Sequence, residues 1–202
     1  MEALGGGAPR ALGRPLTPDE LAQFQKYLLL LLKWQKVQRL MGSADPVWII
    51  ERLFLDSLLF LQVIPTEAVE VADLGSGSGI PGIPIKIVRS DIRLTLIESR
   101  QRRVSFLSTA IRELNLKDVH VVGCRAEEMP DRCHGTFDAV LARSAGDASA
   151  VLPVATRLVK PGAPVILSDA PDRRPLDGGT RVDVPAIRGG GTRAFSVYRR
   201  SP

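Results

Sequence analysis

The segment VADLGSGSGIPGIPIKI, residues 71–87, places four glycines within eight positions between two apolar runs. Glycine has no Cβ atom, so Gly75, Gly77 and Gly79 allow a sharp turn and leave no side chain between the backbone and a ligand. In α/β sheets, ligands bind beyond the carboxyl ends of the strands, at a strand-to-helix turn. The segment therefore predicts a strand, a ligand-binding loop and a helix, in that order.

From Val69 onward, apolar runs typical of strands alternate with helical segments. This alternation predicts an α/β fold with a Rossmann-like, mostly parallel seven-stranded sheet that helices cover on both faces. The last two strands flank a glycine-rich turn and predict an antiparallel C-terminal hairpin. The predicted strands occupy residues 69–74, 92–99, 119–124, 137–143 and 163–169, with two more within 180–200, and the predicted helices occupy 80–90, 100–116 and 148–159.

The region before the sheet is predicted to be a helical extension behind a disordered tail. The first residues are rich in Gly, Ala and Pro, a composition typical of disorder. A capping box over Thr17–Glu20 predicts a helix that runs to about Met41. Asp45 and the proline after it predict a second helix that ends before Pro65. The predicted organisation is a disordered tail at 1–16, an N-terminal helical extension at 17–65 and the sheet domain at 66–202.

The composition is that of a globular protein with a basic surface. The 202 residues are 45% hydrophobic and 24% charged, which is ordinary for a folded domain. The formal net charge is +5, and arginine contributes most of the excess. Arginine binds phosphate through two donors at once, so this charge suits a nucleic acid or another anionic partner. A surface tuned only for solubility is the alternative.

Several classes of protein are disfavoured by the sequence. Cys124 and Cys133, the only cysteines, lack the paired spacing of a zinc site, so we predict no metal. Two cysteines also provide no disulfide framework, which is typical of a reducing compartment. The first residues have no apolar core of a secretory signal, and the leucine run at 28–32 is too short to span a bilayer. We therefore expect a cytoplasmic protein that does not enter a membrane.

Two signatures overlap in the glycine loop and predict different ligands. Gly77–Gly82 matches the G-x-G-x-x-G fingerprint of dinucleotide-binding folds, whereas Asp73–Gly79 matches the D-x-G-x-G-x-G signature of S-adenosylmethionine-dependent methyltransferases. An acid at the strand end repels a pyrophosphate, but it attracts the ammonium and sulfonium groups of S-adenosylmethionine. Asp73 therefore favours the methyl donor. A dinucleotide and a purely structural turn are the alternatives.

Other candidate contacts follow the second and third strands. Glu98 ends the second strand, where an acid accepts hydrogen bonds from the ribose hydroxyls of either ligand. Ala126 and Glu127 follow the third strand, where methyltransferases commonly line the adenine pocket. The residues predicted to bind the cofactor are Asp73, Gly75, Ser76, Gly77, Gly79, Glu98, Ala126, Glu127 and Arg143.

The residues after the fourth strand bear on the methyl acceptor. LARSAGD, residues 141–147, lacks the Asn/Asp-Pro-Pro-aromatic loop of exocyclic amino methyltransferases. Cys124 has no base beside it, which disfavours a cytosine-C5 mechanism. A ring nitrogen with a free lone pair, such as guanine N7, needs neither device and readily accepts a contact from arginine. Arg143 is accordingly predicted to face the substrate as the catalytic residue, with a surface ion pair as the alternative.

Four further arginines are candidates for a phosphate-binding rim on the substrate side. Two lie in the predicted N-terminal helices and two begin the helix after the second strand. A solvated, charged helix end is the simpler interpretation for some of them. The residues predicted to bind RNA are Arg39, Arg52, Arg102 and Arg103.

Three longer stretches resemble the ribosomal RNA small-subunit methyltransferase G family, also called glucose-inhibited division protein B. They are DLGSGSGIPGIPIKIVRSD at 73–91, LTLIESRQRRVSFLSTAIRELNLKDVHVVGCRAEE at 94–128 and FDAVLARSA at 137–145. The G-x-P-G-I-P extension over Gly79–Pro84 and R-V-x-F-L over Arg103–Leu107 are more specific than the glycine signature alone. LDSL, at Leu55–Leu58, also matches the helix that precedes the sheet in this family.

This resemblance implies a class I S-adenosylmethionine-dependent methyltransferase fold with an N-terminal helical extension. The implied reaction is methyl transfer from S-adenosylmethionine to N7 of a guanine in the 530 loop of 16S rRNA of the small ribosomal subunit. The family's cofactor contacts correspond to the residues already selected around Asp73, Glu98 and Ala126-Glu127, and its arginine after the fourth strand corresponds to Arg143. We expect a monomer, since no partner helix is evident.

The sequence departs from the family's usual residues at three places. Arg39-Leu40-Met41 stands where Asn-Leu-Thr is usual, Leu53 where a histidine is common, and Leu167-Ser168-Asp169 where Leu-Lys-Gly is usual. All three departures are expected on the substrate side. Two alternatives therefore stay open: a methyltransferase of the same fold that acts on another RNA or a small molecule, and a catalytically weakened RNA-binding homologue.

Overall fold

The chain folds around one seven-stranded mixed sheet. The structure, a computed structural model, describes residues 1–143, 147–168, 175–187 and 189–201. The strand order is β3-β2-β1-β4-β5-β7-β6, in which β1 to β5 are parallel and β7 pairs antiparallel with both β5 and β6. The strands are β1 Glu70–Leu74, β2 Arg93–Ile97, β3 Val119–Val122, β4 Ala139–Arg143, β5 Pro164–Ser168, β6 Thr180–Pro185 and β7 Thr192–Arg199.

This topology confirms the predicted α/β class, the mostly parallel sheet and the antiparallel C-terminal hairpin. Asp169, the last residue of the predicted fifth strand, lies outside the described residues.

The helices are α1 Glu2–Leu12, α2 Pro18–Gln35, α3 Pro46–Ile49, α4 Asp56–Leu58, α5 Gly82–Val88, α6 Gln101–Glu113 and α7 Ala148–Leu158. A π-helical segment, Ile50–Leu55, joins α3 to α4, and 3₁₀ segments lie at Leu59–Gln62, Ala126–Glu128 and Asp131–Cys133.

The two central strands are buried on both faces, as the continuous apolar runs predict. Val71 of β1 and Leu141 of β4 pack in a layer with α1, α2, α5 and α6. Their neighbours Ala72 and Val140 point to the other face, where α7 covers them. Because successive strand residues alternate between faces, the sheet separates two cores and leaves its carboxyl edge free to form a site.

The prediction of a disordered tail at residues 1–16 is wrong, because Glu2–Leu12 forms the helix α1. Leu4 and Ala8 are fully buried. A Cβ atom on Gly7 would lie 2.6 Å from Leu55 Cδ1 and 2.9 Å from Ile187 Cγ2. Glycine and proline disfavour an isolated helix, but small residues here let the helix backbone approach its neighbours closely, and tertiary packing outweighs propensity. The boundaries of the predicted units at 17–65 and 66–202 stay predictions.

The second correction concerns the end of α2, which stops at Gln35 and not near Met41. The Gln35 side chain accepts hydrogen bonds from the amides of Leu40 (2.8 Å) and Met41 (3.0 Å) and donates one to the Met41 carbonyl (3.0 Å). One side-chain amide thereby forms hydrogen bonds with the backbone at residues 40 and 41, which the prediction had placed in the helix. These bonds stabilise a loop after Gln35. The start of α2 is as predicted, with a capping box between Thr17 and Glu20. Among the described residues, no helix is long and apolar enough to cross a membrane.

We expect Leu4→Ala to lower the free energy of unfolding by about 2–5 kcal/mol, because it opens a cavity beneath a docked α1. Leu29→Ala on α2 is the matched control, since Leu29 is 59% exposed and truncation of its side chain should cost little. Urea unfolding of both variants measures the difference. Equal stability of the two variants would mean that α1 is not docked in solution.

Candidate functional site

The glycine loop at the end of β1 is held by backbone and side-chain contacts. The amides of Gly75 and Ser76 both donate to the Ile97 carbonyl, at 2.9 and 3.1 Å. Gly77 has a φ of 59°, a conformation that strongly favours glycine. The nearest atom to a Cβ built on Gly77 would be Arg103 Nη1 at 3.5 Å. The loop therefore presents its backbone, not side chains, to the space beyond β1.

Gly79 has a different role from Gly77. A Cβ atom there would lie 2.9 Å from Ile83 Cγ1 and 2.9 Å from the Tyr27 hydroxyl, which itself donates to the Ser78 carbonyl. Gly79 thus lets the loop pack against α2 and α5. Its predicted contact with a cofactor stays a prediction.

Asp73 lies fully buried beneath the loop. Its Oδ2 accepts a hydrogen bond from the Gly82 amide at 3.0 Å, whereas Oδ1 has no hydrogen-bond partner among the described residues. Burial raises the pKa of Asp73 to about 7, and the Gly82 amide only partly opposes that rise. The loop consequently covers a carboxyl group that a nearby cation would convert to its ionised form.

Glu98 follows β2 and is 5% exposed. Its Oε2 accepts from the Gly77 amide at 2.9 Å, and its Oε1 accepts from the Arg100 amide at 2.8 Å. Arg103 Nη1 lies 3.6 Å from Oε2. These contacts stabilise the loop. Because each carboxylate oxygen has a second lone pair, Glu98 can still accept hydrogen bonds from a ligand.

A cavity of about 230 Å³, here called the strand-end cavity, opens beyond β1, β2 and β3. It contains Gly75, Glu98, Ala126 and Glu127, so the structure brings these four predicted residues together. Apolar side chains of β1, β2 and α7 form another part of its wall, beside Ser99, Arg125 and Asp147, and were not predicted from the sequence. They are Leu74, Ile97, Ala150, Val151 and Val154.

Cys124 also lines the strand-end cavity. Burial, together with Glu128, raises the pKa of its thiol. A raised pKa keeps the thiol protonated near neutral pH, and the thiolate is the nucleophilic form. The structure therefore gives no support to a Cys124 nucleophile.

A second cavity of about 400 Å³, here called the loop cavity, lies on the other side of the glycine loop. It brings Ser76 and Gly77 together with Arg103 and Arg143. Leu40, Met41 and Leu53 also line it. Two of the three departures from the family's usual residues therefore border the space in front of Arg143.

Arg143 ends β4 with its side chain 13% exposed. Its Nη2 donates to the Arg52 carbonyl at 2.6 Å and lies 3.7 Å from Asp56 Oδ2. Burial lowers the pKa of Arg143 to about 10, with Asp56 opposing that shift, so the guanidinium is charged at neutral pH. Asp56 was not predicted as a functional residue. The only sequence signal was its place in LDSL.

The four arginines of the predicted RNA rim do not form one row. Arg103 lies inside the loop cavity, against Glu98. Arg39 and Arg102 are both exposed. Their chain segments lie close together, since Gln38 Nε2 donates to the Arg102 carbonyl at 3.1 Å. Arg52 is exposed and lies beside Arg143. Within the part of the chain that the structure describes, no cluster of three or more His, Cys, Asp or Glu side chains is arranged to hold a metal.

Comparisons of the sequence with known proteins agree on one family. The family model described as GidB, rRNA small subunit methyltransferase G, matches residues 20–169. Ribosomal RNA small subunit methyltransferase G of Sorangium cellulosum (strain So ce56) is 37% identical over 161 residues, which are 78% of this chain and 67% of that protein. The protein of the same name from Desulfitobacterium hafniense (strain Y51) is 34% identical over 164 residues, 80% of this chain and 68% of that protein.

A solved structure shows the same fold. The SAM dependent methyltransferase from Aquifex aeolicus has a TM-score of 0.55 and 20% identity, and the match covers 77% of this chain and 93% of that chain. The chain spans about two thirds of the length of the two curated relatives.

We expect the stability of the protein to fall with rising pH because of Asp73, and Asp73→Asn to remove this component. The pKa of this carboxyl rises from 3.8 to about 7 on folding. Between these values the folded protein holds a proton that the unfolded chain releases, so raising the pH favours unfolding by up to about 1.4 kcal/mol per pH unit. Urea unfolding of both proteins from pH 4.5 to 8 measures the effect. The free energy of unfolding of Asp73→Asn should rise relative to that of the wild type up to about pH 7 and then level off. A difference in free energy that does not change with pH would contradict the raised pKa of Asp73.

Proposed function

The chain belongs to the rRNA small subunit methyltransferase G family, and on that premise we propose that it methylates N7 of a guanine in 16S rRNA with S-adenosylmethionine as donor. The fold is the class I methyltransferase fold. The 530 loop of the small ribosomal subunit, which the sequence resemblance implies, is the proposed location of that guanine. Action in the cytoplasm as a monomer belongs to the same proposal.

One observation carries the choice of donor: a buried carboxyl with an unpaired oxygen lies directly beneath a glycine loop. Asp73 Oδ1 has no partner among the described residues, and the pKa of Asp73 is raised to about 7. A pyrophosphate at this loop would increase the electrostatic cost of an ionised Asp73, whereas a donor with ammonium and sulfonium groups lowers it. The residues present thus fit S-adenosylmethionine better than a dinucleotide.

The two cavities suggest how the chain would hold the donor. Glu98 retains lone pairs toward the strand-end cavity and would accept hydrogen bonds from the ribose hydroxyls. The apolar wall of Ile97, Val151 and Val154 beside Ala126-Glu127 suits the faces of an adenine ring. The backbone of Gly75, which lines both cavities, and that of Gly77, which lines the loop cavity, would receive the amino-acid end.

The acceptor side is consistent with a reaction that needs no base. When bound, S-adenosylmethionine supplies an electrophilic methyl group on a cationic sulfur. Guanine N7 already carries the attacking lone pair, so the protein has only to position it in line with the methyl group. Arg143, charged and held by Asp56 and the Arg52 carbonyl, would orient the base from the loop cavity. The raised pKa of Cys124 disfavours a route through a thiolate.

We expect the protein to form 7-methylguanosine when it is incubated with labelled S-adenosylmethionine and small ribosomal subunits that lack the modification. Naked 16S rRNA is assayed in parallel, and mass spectrometry of the digested nucleosides identifies the product. Another methylated nucleoside would overturn N7 as the acceptor. Donor binding without any product would favour the catalytically weakened homologue, and a product only on other acceptors would favour a different substrate.

We expect Arg143→Ala to lower the rate of rRNA methylation at least about tenfold, because the charged group facing the acceptor is lost. Arg143→Lys should recover part of the rate, since it keeps the charge but not the planar fork. Arg132→Ala, at an exposed arginine, is the control for the loss of one positive charge. A thermal unfolding curve for each variant separates misfolding from lost activity. A rate for Arg143→Ala equal to that of the control would remove Arg143 from the mechanism.

A further inference from the structure

A third cavity, of about 610 Å³, lies beyond Arg143 and is called here the arginine cavity. Its described lining comes from three parts of the chain: α1, the stretch from Glu51 to Asp56, and Ala186, Ile187 and Gly189 together with the start of β7. Among the described residues, three guanidinium groups line it, those of Arg10, Arg52 and Arg193, together with the carboxylates of Glu51 and Asp56. The lining therefore has more positive than negative charges.

The arginine cavity belongs to the same edge of the sheet as the proposed methyl-transfer site. Residue Ser168 ends β5 and pairs with Phe195 of the antiparallel β7, so the start of β7 lies at the carboxyl edge of the parallel strands. Arg193, near that start, donates from Nη2 to Ser168 Oγ at 2.9 Å. A ligand in this cavity would thus lie beside an acceptor that faces Arg143.

Asp56 connects the arginine cavity to the loop cavity. Its Oδ2 lies 3.7 Å from Arg143 Nη2 and 3.8 Å from Arg193 Nη1. One carboxylate is thereby shared by the arginine of the methyl-transfer site and an arginine of the neighbouring cavity. The arginine cavity and the loop cavity are therefore adjacent.

Donor groups in the arginine cavity are only partly used by the protein. Arg10 is exposed and donates one hydrogen bond, from Nη1 to the Ile187 carbonyl at 2.7 Å. The exposed Arg52 side chain donates no hydrogen bond to any residue that the structure describes. A guanidinium has five N–H donors, so both side chains keep donors for an anion, and a phosphate matches their fork geometry.

Two of these arginines lie outside the residues that the family model matches. That match covers residues 20–169, whereas Arg10 precedes it and Arg193 follows it. We propose that the arginine cavity binds a phosphodiester of the RNA strand next to the target nucleotide, with Arg10, Arg52 and Arg193 as its ligands. This inference rests on the proposed function, because it takes RNA to be the acceptor.

The test compares Arg10→Gln and Arg193→Gln with Arg112→Gln, a control at an exposed arginine in the last turn of α6, at the opposite edge of the sheet. Arg10→Gln is the cleaner of the two, since no contact of the Arg10 side chain with Asp56 is found among the described residues. Two quantities are measured: the dependence of RNA affinity on salt, and kcat and KM for unmodified small-subunit rRNA. Arg10→Lys is the second variant, which keeps the charge if Arg10→Gln unfolds.

The expected result is a rise in KM of about five- to tenfold for each cavity variant, with little change in donor affinity for either and little change in kcat for Arg10→Gln. Loss of one phosphate contact should also reduce the slope of log affinity against log salt by about 0.7–0.9. Arg10→Lys should keep most of the slope. Slopes and KM values equal to those of Arg112→Gln would overturn the proposal.

Methylation assays of the wild-type protein alone show whether the proposed function fails, separately from the test of the arginine cavity. If it methylates no rRNA, that function fails, and the salt slopes still decide whether the cavity binds an RNA phosphate. Guanosine 5′-monophosphate serves as a probe for a free phosphate. Binding of this nucleotide that Arg10→Gln abolishes, with RNA affinity unchanged, would assign the cavity to a free phosphate and overturn the RNA assignment.

Discussion

The hydrogen bond from the Gly82 amide to Asp73 Oδ2 is the contact on which the site depends. It joins the end of β1 to the start of α5 and closes the glycine loop between them. The contact requires a carboxyl group in a fully buried position, which raises the pKa of Asp73 to about 7. The protein thus keeps an electrostatically unfavourable group where the proposed donor brings positive charge. Binding would relieve a cost that the free protein carries, a common arrangement at functional sites.

A second carboxylate supports the loop from the neighbouring strand. Glu98 accepts from the Gly77 amide on one oxygen and from the Arg100 amide on the other. The loop conformation is therefore set by contacts between β1, β2 and the start of α6. Such pre-organisation reduces the ordering that binding would otherwise require. It also explains why Glu98 is nearly buried and yet borders the strand-end cavity.

The N-terminal and C-terminal parts of the chain complete the proposed substrate side together. Gly7 of α1 approaches Leu55 and Ile187 closely, and Arg10 donates to the Ile187 carbonyl. Asp56, between them and the sheet, faces both Arg143 and Arg193. The orientation of Arg143 consequently depends on elements that come from far apart in the sequence. Substitutions that disturb Asp56 can therefore influence the proposed acceptor site without touching the proposed donor pocket.

The sequence by itself determined the order of strands and helices from β1 onward, the glycine loop at 75–79 and the positions of Asp73 and Glu98 beside it. These features follow from alternation, glycine content and the chemistry of residues close together in the chain. Only the tertiary structure decided that Glu2–Leu12 is a docked helix, that Gln35 ends α2, and that Asp56 lies between two arginines. A glycine-rich helix is unstable in isolation and forms because Leu4 and Ala8 become buried. The partners of Asp56 are distant in sequence, and no local pattern records which charges folding brings within about 4 Å of one another.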